Sequence, residues 1–164
     1  MDDLTPAQVH QLLAEQVNEK IEAMEEIMLD HEQVEMPVEH RFVNGMYARE
    51  LTIPKGTLLT GRVHKFGYVD IMLSGDITVA TPDGVKRLTG VNIMEGVPGR
   101  KRAGYAHEDT HWITVHKTDA TSPEGIEDIL TVFSMAQFRE LPPGERAALP
   151  NEQENEPCQL LQQQ

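Results

Sequence analysis

From Met46 to Lys117 polar and apolar residues alternate with a period of two, and Val, Ile, Thr and Tyr crowd between short Gly and Pro interruptions. Such alternation places every second side chain on one face of a pleated strand, so this stretch is expected to be all-β. Strands are predicted over Ala48–Ile53, Leu58–Phe66, Tyr68–Leu73, Ile77–Thr81, Val85–Thr89, Val91–Met94, Arg102–Ala106 and Thr110–Lys117. Pro54-Lys55-Gly56, Ser74-Gly75-Asp76 and Pro82-Asp83-Gly84 supply the turns. Short strands at this spacing predict a sandwich or barrel.

Helical patterning flanks the strands on both sides. Thr5 and Pro6 form a cap and first-turn proline, with Gln8 three residues after the cap. Val9, Leu13, Val17, Ile21, Met24 and Met28 then recur every three or four residues, widened by Leu12 and Ile27, which predicts one amphipathic helix to about Asp30. Its stripe suits docking on its own domain or an oligomerisation arm. After Asp119 the helical period returns behind Ser122-Pro123-Glu124, and Ile126, Ile129, Leu130, Phe133 and Phe138 can share one face of a closing helix. Beyond Leu141 the chain is polar, with Leu149, Leu160 and Leu161 as its apolar anchors, and needs a partner surface to become ordered. The expected organisation is an N-terminal helical arm and linker (1–45), a β-barrel (46–118), a C-terminal helix (119–140) and a polar tail (141–164).

Composition narrows the function classes. With Lys+Arg 14 against Asp+Glu 27 in 164 residues, the net charge is −13 and the chain reads as one acidic domain with appendages. That charge disfavours general nucleic-acid binding; the one basic cluster, Arg100-Lys101-Arg102, is expected to be exposed and to contact an acidic partner, most simply another copy of the chain. No apolar run approaches membrane-spanning length, and the acidic Met1-Asp2-Asp3 start is unlike a signal peptide, so neither membrane insertion nor secretion by a signal peptide is expected. A single cysteine, Cys158, forms no internal disulfide and fits a reducing compartment.

His64, Phe66, Tyr68 and Asp70, spaced by two, fall on one face of a predicted strand that ends in Gly75. This segment resembles the first motif of the cupin family, in which a strand presents His-x-His, then Glu and a turn glycine. Val97-Pro98-Gly99-Arg100-Lys101-Arg102 stands where the second motif reads Pro-x-Gly-x-x-His; Gly99 aligns, while Val97 and Arg102 replace the Pro and His. The continuation from Gly104 to His116 is similar to small cupin-like proteins encoded by bacteriophages. The resemblance covers about Met46 to Thr118 and implies a cupin-like jelly-roll barrel, with homo-oligomeric assembly.

Many cupins hold a divalent transition metal with three His and one Glu. Carried over position by position, His64 keeps the first His and Asp70 replaces the Glu, while Phe66 and Arg102 stand at the other two ligand positions. A phenyl ring cannot coordinate and a guanidinium repels a cation, so no metal cofactor is expected; a rescued site would use His64 and Asp70, with Tyr68 or His111. Two readings of the remaining residues stay open. His64 is either satisfied by Asp70 or a backbone carbonyl, or belongs to a small polar ligand pocket with Tyr68, Asp70, Arg102 and His111. In the last strand, parity places His111 with Ile113 and Val115 on the apolar side, as a core histidine. Val63, Val69, Ile71 and Leu73 line the face opposite His64, which demands cover by the helices or a second subunit.

No phosphate-loop glycine spacing, Gly-x-Ser-x-Gly motif or Cys/His nucleophile arrangement occurs. The expected protein is therefore a non-catalytic cupin-like binding or assembly module. The resemblance implies a bacteriophage structural or accessory component, located in host cytoplasm or virion and able to meet other phage structural proteins. The alternative is a metal-dependent or sugar-modifying cupin enzyme with its site in the barrel.

Overall fold

The computed structural model describes residues 6–147. Its strands are β1 (Val38–Val43), β2 (Met46–Ile53), β3 (Leu58–Thr60), β4 (Val63–His64), β5 (Tyr68–Thr81), β6 (Gly84–Thr89), β7 (Asn92–Gly96), β8 (Ala103–Lys117) and β9 (Thr131–Val132). Helix α1 (Pro6–Leu29) precedes them, while α2 (Ile126–Leu130) and α3 (Met135–Glu140) flank β9. The protein is mainly β and antiparallel, with an N-terminal helix and C-terminal helices, as the sequence predicts.

The sheet order is β1-β2-β8-β5-β6, with β3 added to β8 and β7 to β5; β4 and β9 form a separate pair. The two long strands serve two half-sheets each. The C-terminal half of β8 pairs with β2 and its N-terminal half with β3, while the N-terminal half of β5 pairs with β7 and its C-terminal half with β6. Register shifts between Met72 and Ile77 bend the sheet at that boundary. The bend closes the halves into a jelly-roll: Leu51, Met72 and Trp112 from one half meet Ile77, Val79 and Ala106 from the other in a single core cluster.

The local departures from the predicted elements have physical causes. Ser74-Gly75-Asp76, predicted as a turn, is a bulge within β5, since the same polar, glycine-containing triplet suits either. Gly75 sits at φ +112, and a Cβ there would lie 2.6 Å from the Thr110 Cα and 2.7 Å from the Asp109 carbonyl oxygen. Gly75→Ala is therefore expected to lower unfolding stability by about 1–3 kcal/mol in urea titrations. Unchanged stability would mean that the bulge tolerates a side chain. Likewise β8 runs unbroken through the gap predicted at 107–109, and the predicted Leu58–Phe66 strand splits into β3 and β4 with different partners.

The sequence does not predict strand β1, because Glu39, His40 and Arg41 make it a polar edge strand with weak alternation. Its hairpin signal was nonetheless present, since Asn44 and Gly45 take φ 47 and φ 78, both left-handed, as a tight two-residue turn requires. The single C-terminal helix is instead two short ones. Thr131 and Val132 leave the helix to pair with β4, and Ser134 restarts it by accepting the Gln137 amide. Ile126, Leu130 and Phe138 are buried as predicted, but Phe133 is 62% exposed, and Ile129 is exposed too.

Helix α1 follows its predicted span, with the proposed Thr5 cap outside the described residues. Its second half docks on the same chain: Ile21 and Asn18 are buried, Glu25 pairs with Lys101 and accepts from Thr60, and Glu22 accepts the Met135 amide. Leu12 and Leu13 remain exposed. Val63 is covered by Met135 and Phe138, whereas Val69 and Leu73 on the outer sheet are each 40% exposed. No helix among the described residues is long and apolar enough to cross a membrane. The tail beyond 147, including Cys158, Leu149, Leu160 and Leu161, lies outside the described residues.

Candidate functional site

Strand register stacks the inward-facing residues in layers. Tyr47 pairs with His116, Arg49 with Thr114, Leu51 with Trp112 and Ile53 with Thr110 between β2 and β8. Across β8, Thr114 faces Asp70 and Trp112 faces Met72 on β5. The interior thus grades from a polar, aromatic end to an apolar one. Between the layers lies a cavity of about 320 Å³, bounded at the apolar end by Leu51, Ile53, Leu59, Ile77 and Val79 and at the polar end by Arg49, His64, Arg102, Thr114 and His116. Ile126 and Leu130 of α2 pack on Tyr47 beside that end.

Asp70 organises the polar layer. It is fully buried, and its Oδ1 accepts from Trp112 Nε1 and Thr114 Oγ1, both at 2.8 Å. Its Oδ2 lies 2.6 Å from the Arg102 guanidinium, which also donates to the Tyr68 hydroxyl at 2.8 Å. Burial pushes the Tyr68 phenol up to about 12, with Arg102 opposing and Asp70 reinforcing the shift. The phenol therefore stays protonated at neutral pH. Gly96, the cross-strand partner of Tyr68, leaves room for its ring, which a Cβ at that position would overlap.

Beside this layer, His64 stacks on Tyr68 with centroids 3.9 Å apart and on His116 at 5.1 Å. Burial pushes His116 down to about 4, against an opposing pull from Asp70. His64 is also held well below the usual imidazole range, by burial first and then by His116, Arg102 and Arg49. Both imidazoles are neutral at physiological pH, and the His64 Nδ1 is buried with no hydrogen-bond partner among the described residues.

The predicted pocket residues His64, Tyr68, Asp70 and Arg102 come together; His111 does not. It lies on the outer face, with its side chain 34% exposed, and contacts Glu50 at 2.5 Å. Trp112, Thr114 and His116 take the inward parity in its place. Alternation fixes which residues share a face but not which face is inside, and the apolar Ile113 and Val115 pointed the wrong way. The expected exposed cluster Arg100-Lys101-Arg102 is instead consumed within the chain. Arg100 pairs with Asp83 at 2.5 Å, and Arg102 binds Asp70. The Lys101 side chain is 1% exposed and bridges Glu25 and the Phe133 carbonyl. A strongly acidic protein has many carboxylates available to neutralise such a cluster.

The donor set does not suit the divalent metal that the cupin resemblance raises. Phe66 does not line the cavity, and the one carboxylate in the layer spends both oxygens on Trp112, Thr114 and Arg102. The guanidinium at 2.6 Å from Asp70 stands where a cation would have to sit. No group of three or more His, Cys, Asp or Glu side chains among the described residues converges as a metal site would require.

No protein-family model matches the chain, and no curated protein matches its sequence. Among solved structures it is similar to a cupin superfamily protein from Desulfitobacterium hafniense, at 8% identity over 54% of this chain and 83% of that chain, TM-score 0.46. It is also similar to a cupin domain from Bordetella pertussis, at 16% identity over 54% of this chain and 98% of that chain, TM-score 0.43. A conserved protein of unknown function from Streptococcus pyogenes aligns at 18% identity over 55% of this chain and 80% of that chain, TM-score 0.44. Function therefore has to be argued from the site itself.

Proposed function

We propose that this chain is a non-catalytic, cupin-like binding module that holds a small molecule in the barrel cavity without a metal. The observation that carries this reading is the cavity of about 320 Å³, apolar at one end and ending in a polar layer whose carboxylate is held by Trp112 and Thr114 through Oδ1 and ion-paired with Arg102 through Oδ2. Asp70, fully buried and ion-paired with the Arg102 guanidinium, is poorly placed to act as a metal ligand. Assembly into a homo-oligomer fits the exposed outer sheet, where Val69, Leu73 and Ile93 lie uncovered among the described residues. A structural or accessory role in a bacteriophage rests on the sequence resemblance from Gly104 to His116 alone.

A metal-dependent or sugar-modifying enzyme is the second reading, favoured by the two neutral imidazoles of His64 and His116 at the cavity wall. Elemental analysis of protein purified without added metal separates the two. Only trace Fe, Mn, Ni and Zn is expected. About one metal ion per chain, lost in His64→Ala, would favour the enzyme and end the metal-free reading.

A further inference from the structure

Among the described residues, Arg49 is the cavity cation that no counter-charge neutralises. It sits on β2 between Tyr47 and Leu51, registers with Thr114, is half-buried, and lines the cavity where the polar layer gives way to the apolar one. The two other guanidiniums on the wall are engaged: Arg102 with Asp70 and Tyr68, and Arg62 with Glu127 and Asp128. Arg49 makes no hydrogen bond or ion pair among the described residues. Holding a partly desolvated guanidinium without a counter-charge is unfavourable, and a bound anion removes that cost through two parallel N–H···O bonds.

We propose that Arg49 is the anchor for a carboxylate, so that the cavity takes a small monocarboxylic acid whose apolar body lies against Leu51, Ile53, Leu59, Ile77, Val79 and Trp112. The inference rests on the reading of the cavity as a binding site and assigns its ligand class. The charge inventory favours a monoanion over a phosphate dianion. Arg102 and Arg62 are already neutralised, and the imidazoles of His64 and His116, uncharged at neutral pH, add no second cation.

Calorimetric titration of the full chain with octanoate and with its neutral counterpart octanamide tests this. Octanoate is expected to bind about tenfold or more tightly than octanamide, because the charge-assisted pair exists only with the acid. Arg49→Leu is expected to bring octanoate down to the octanamide level while octanamide changes by less than about twofold, and Arg49→Lys, which keeps the charge but loses the fork, to fall between. Equal affinities in the unsubstituted protein, or an octanoate preference that persists in Arg49→Leu, would overturn the anchor while leaving the cavity as a binding site. Binding of neither probe would remove both. Should Arg49→Leu fail to fold, the octanoate-to-octanamide ratio of the unsubstituted protein and the Arg49→Lys variant still decide the matter.

Discussion

Asp70→Ala is expected to lower unfolding stability by about 3–5 kcal/mol, a large share of what a single domain of this size possesses. The substitution strands the Arg102 guanidinium, whose side chain is 17% exposed, and leaves the Trp112 and Thr114 donors without their acceptor. Arg102→Met alone should be nearly as damaging, since it leaves a fully buried carboxylate without its counter-charge. The pair Asp70→Asn with Arg102→Met should recover much of the loss: the amide oxygen still accepts from Trp112 and Thr114, and no isolated charge remains. Urea unfolding of the unsubstituted protein, Asp70→Asn, Arg102→Met and their double variant measures the coupling. Small, additive losses from the two single substitutions would show that no buried ion pair organises the barrel.

Acid should destabilise the protein over a defined interval. His116 is held at about 4 in the fold, and the unfolded chain restores it to about 6.5, so between those values the unfolded state binds a proton that the folded state refuses. Stability from this group is fully present above about pH 6.5, falls as pH drops below it, and stops falling near pH 4. The difference corresponds to about 3 kcal/mol, and His64, displaced in the same direction, adds to it. His116→Gln should flatten the profile of melting temperature against pH in that interval. A profile unchanged by this substitution would mean that His116 protonates freely in the fold.

The sequence revealed the strand class, the N-terminal helix and four residues that meet in the polar layer, because these depend on local periodicity and on residue types that seldom sit in a strand interior by chance. It did not reveal the long-range features. Val69, Ile71, Ile113 and Val115 give the outer face of β5 and β8 as much apolar character as an inner face, so parity alone misplaced His111 and hid Trp112 and His116. Arg49 had a weak signal, an arginine sharing parity with Tyr47, Leu51 and Ile53. Its meaning emerges only when tertiary contacts reveal that, among the described residues, Arg102 is already paired and Arg49 is not. The basic tripeptide looked like a surface because sequence cannot show that Glu25, Asp70 and Asp83 reach it from distant segments.

Trp112 is the protein's single tryptophan, and it forms part of the cavity wall, so its emission reports directly on occupancy. Octanoate titrated into metal-free protein at neutral pH should change that emission saturably, with about one molecule bound per chain, and should shield the indole from a soluble quencher. Emission and quenching that stay unchanged up to millimolar octanoate and octanamide alike would contradict the account that the barrel interior is a binding site.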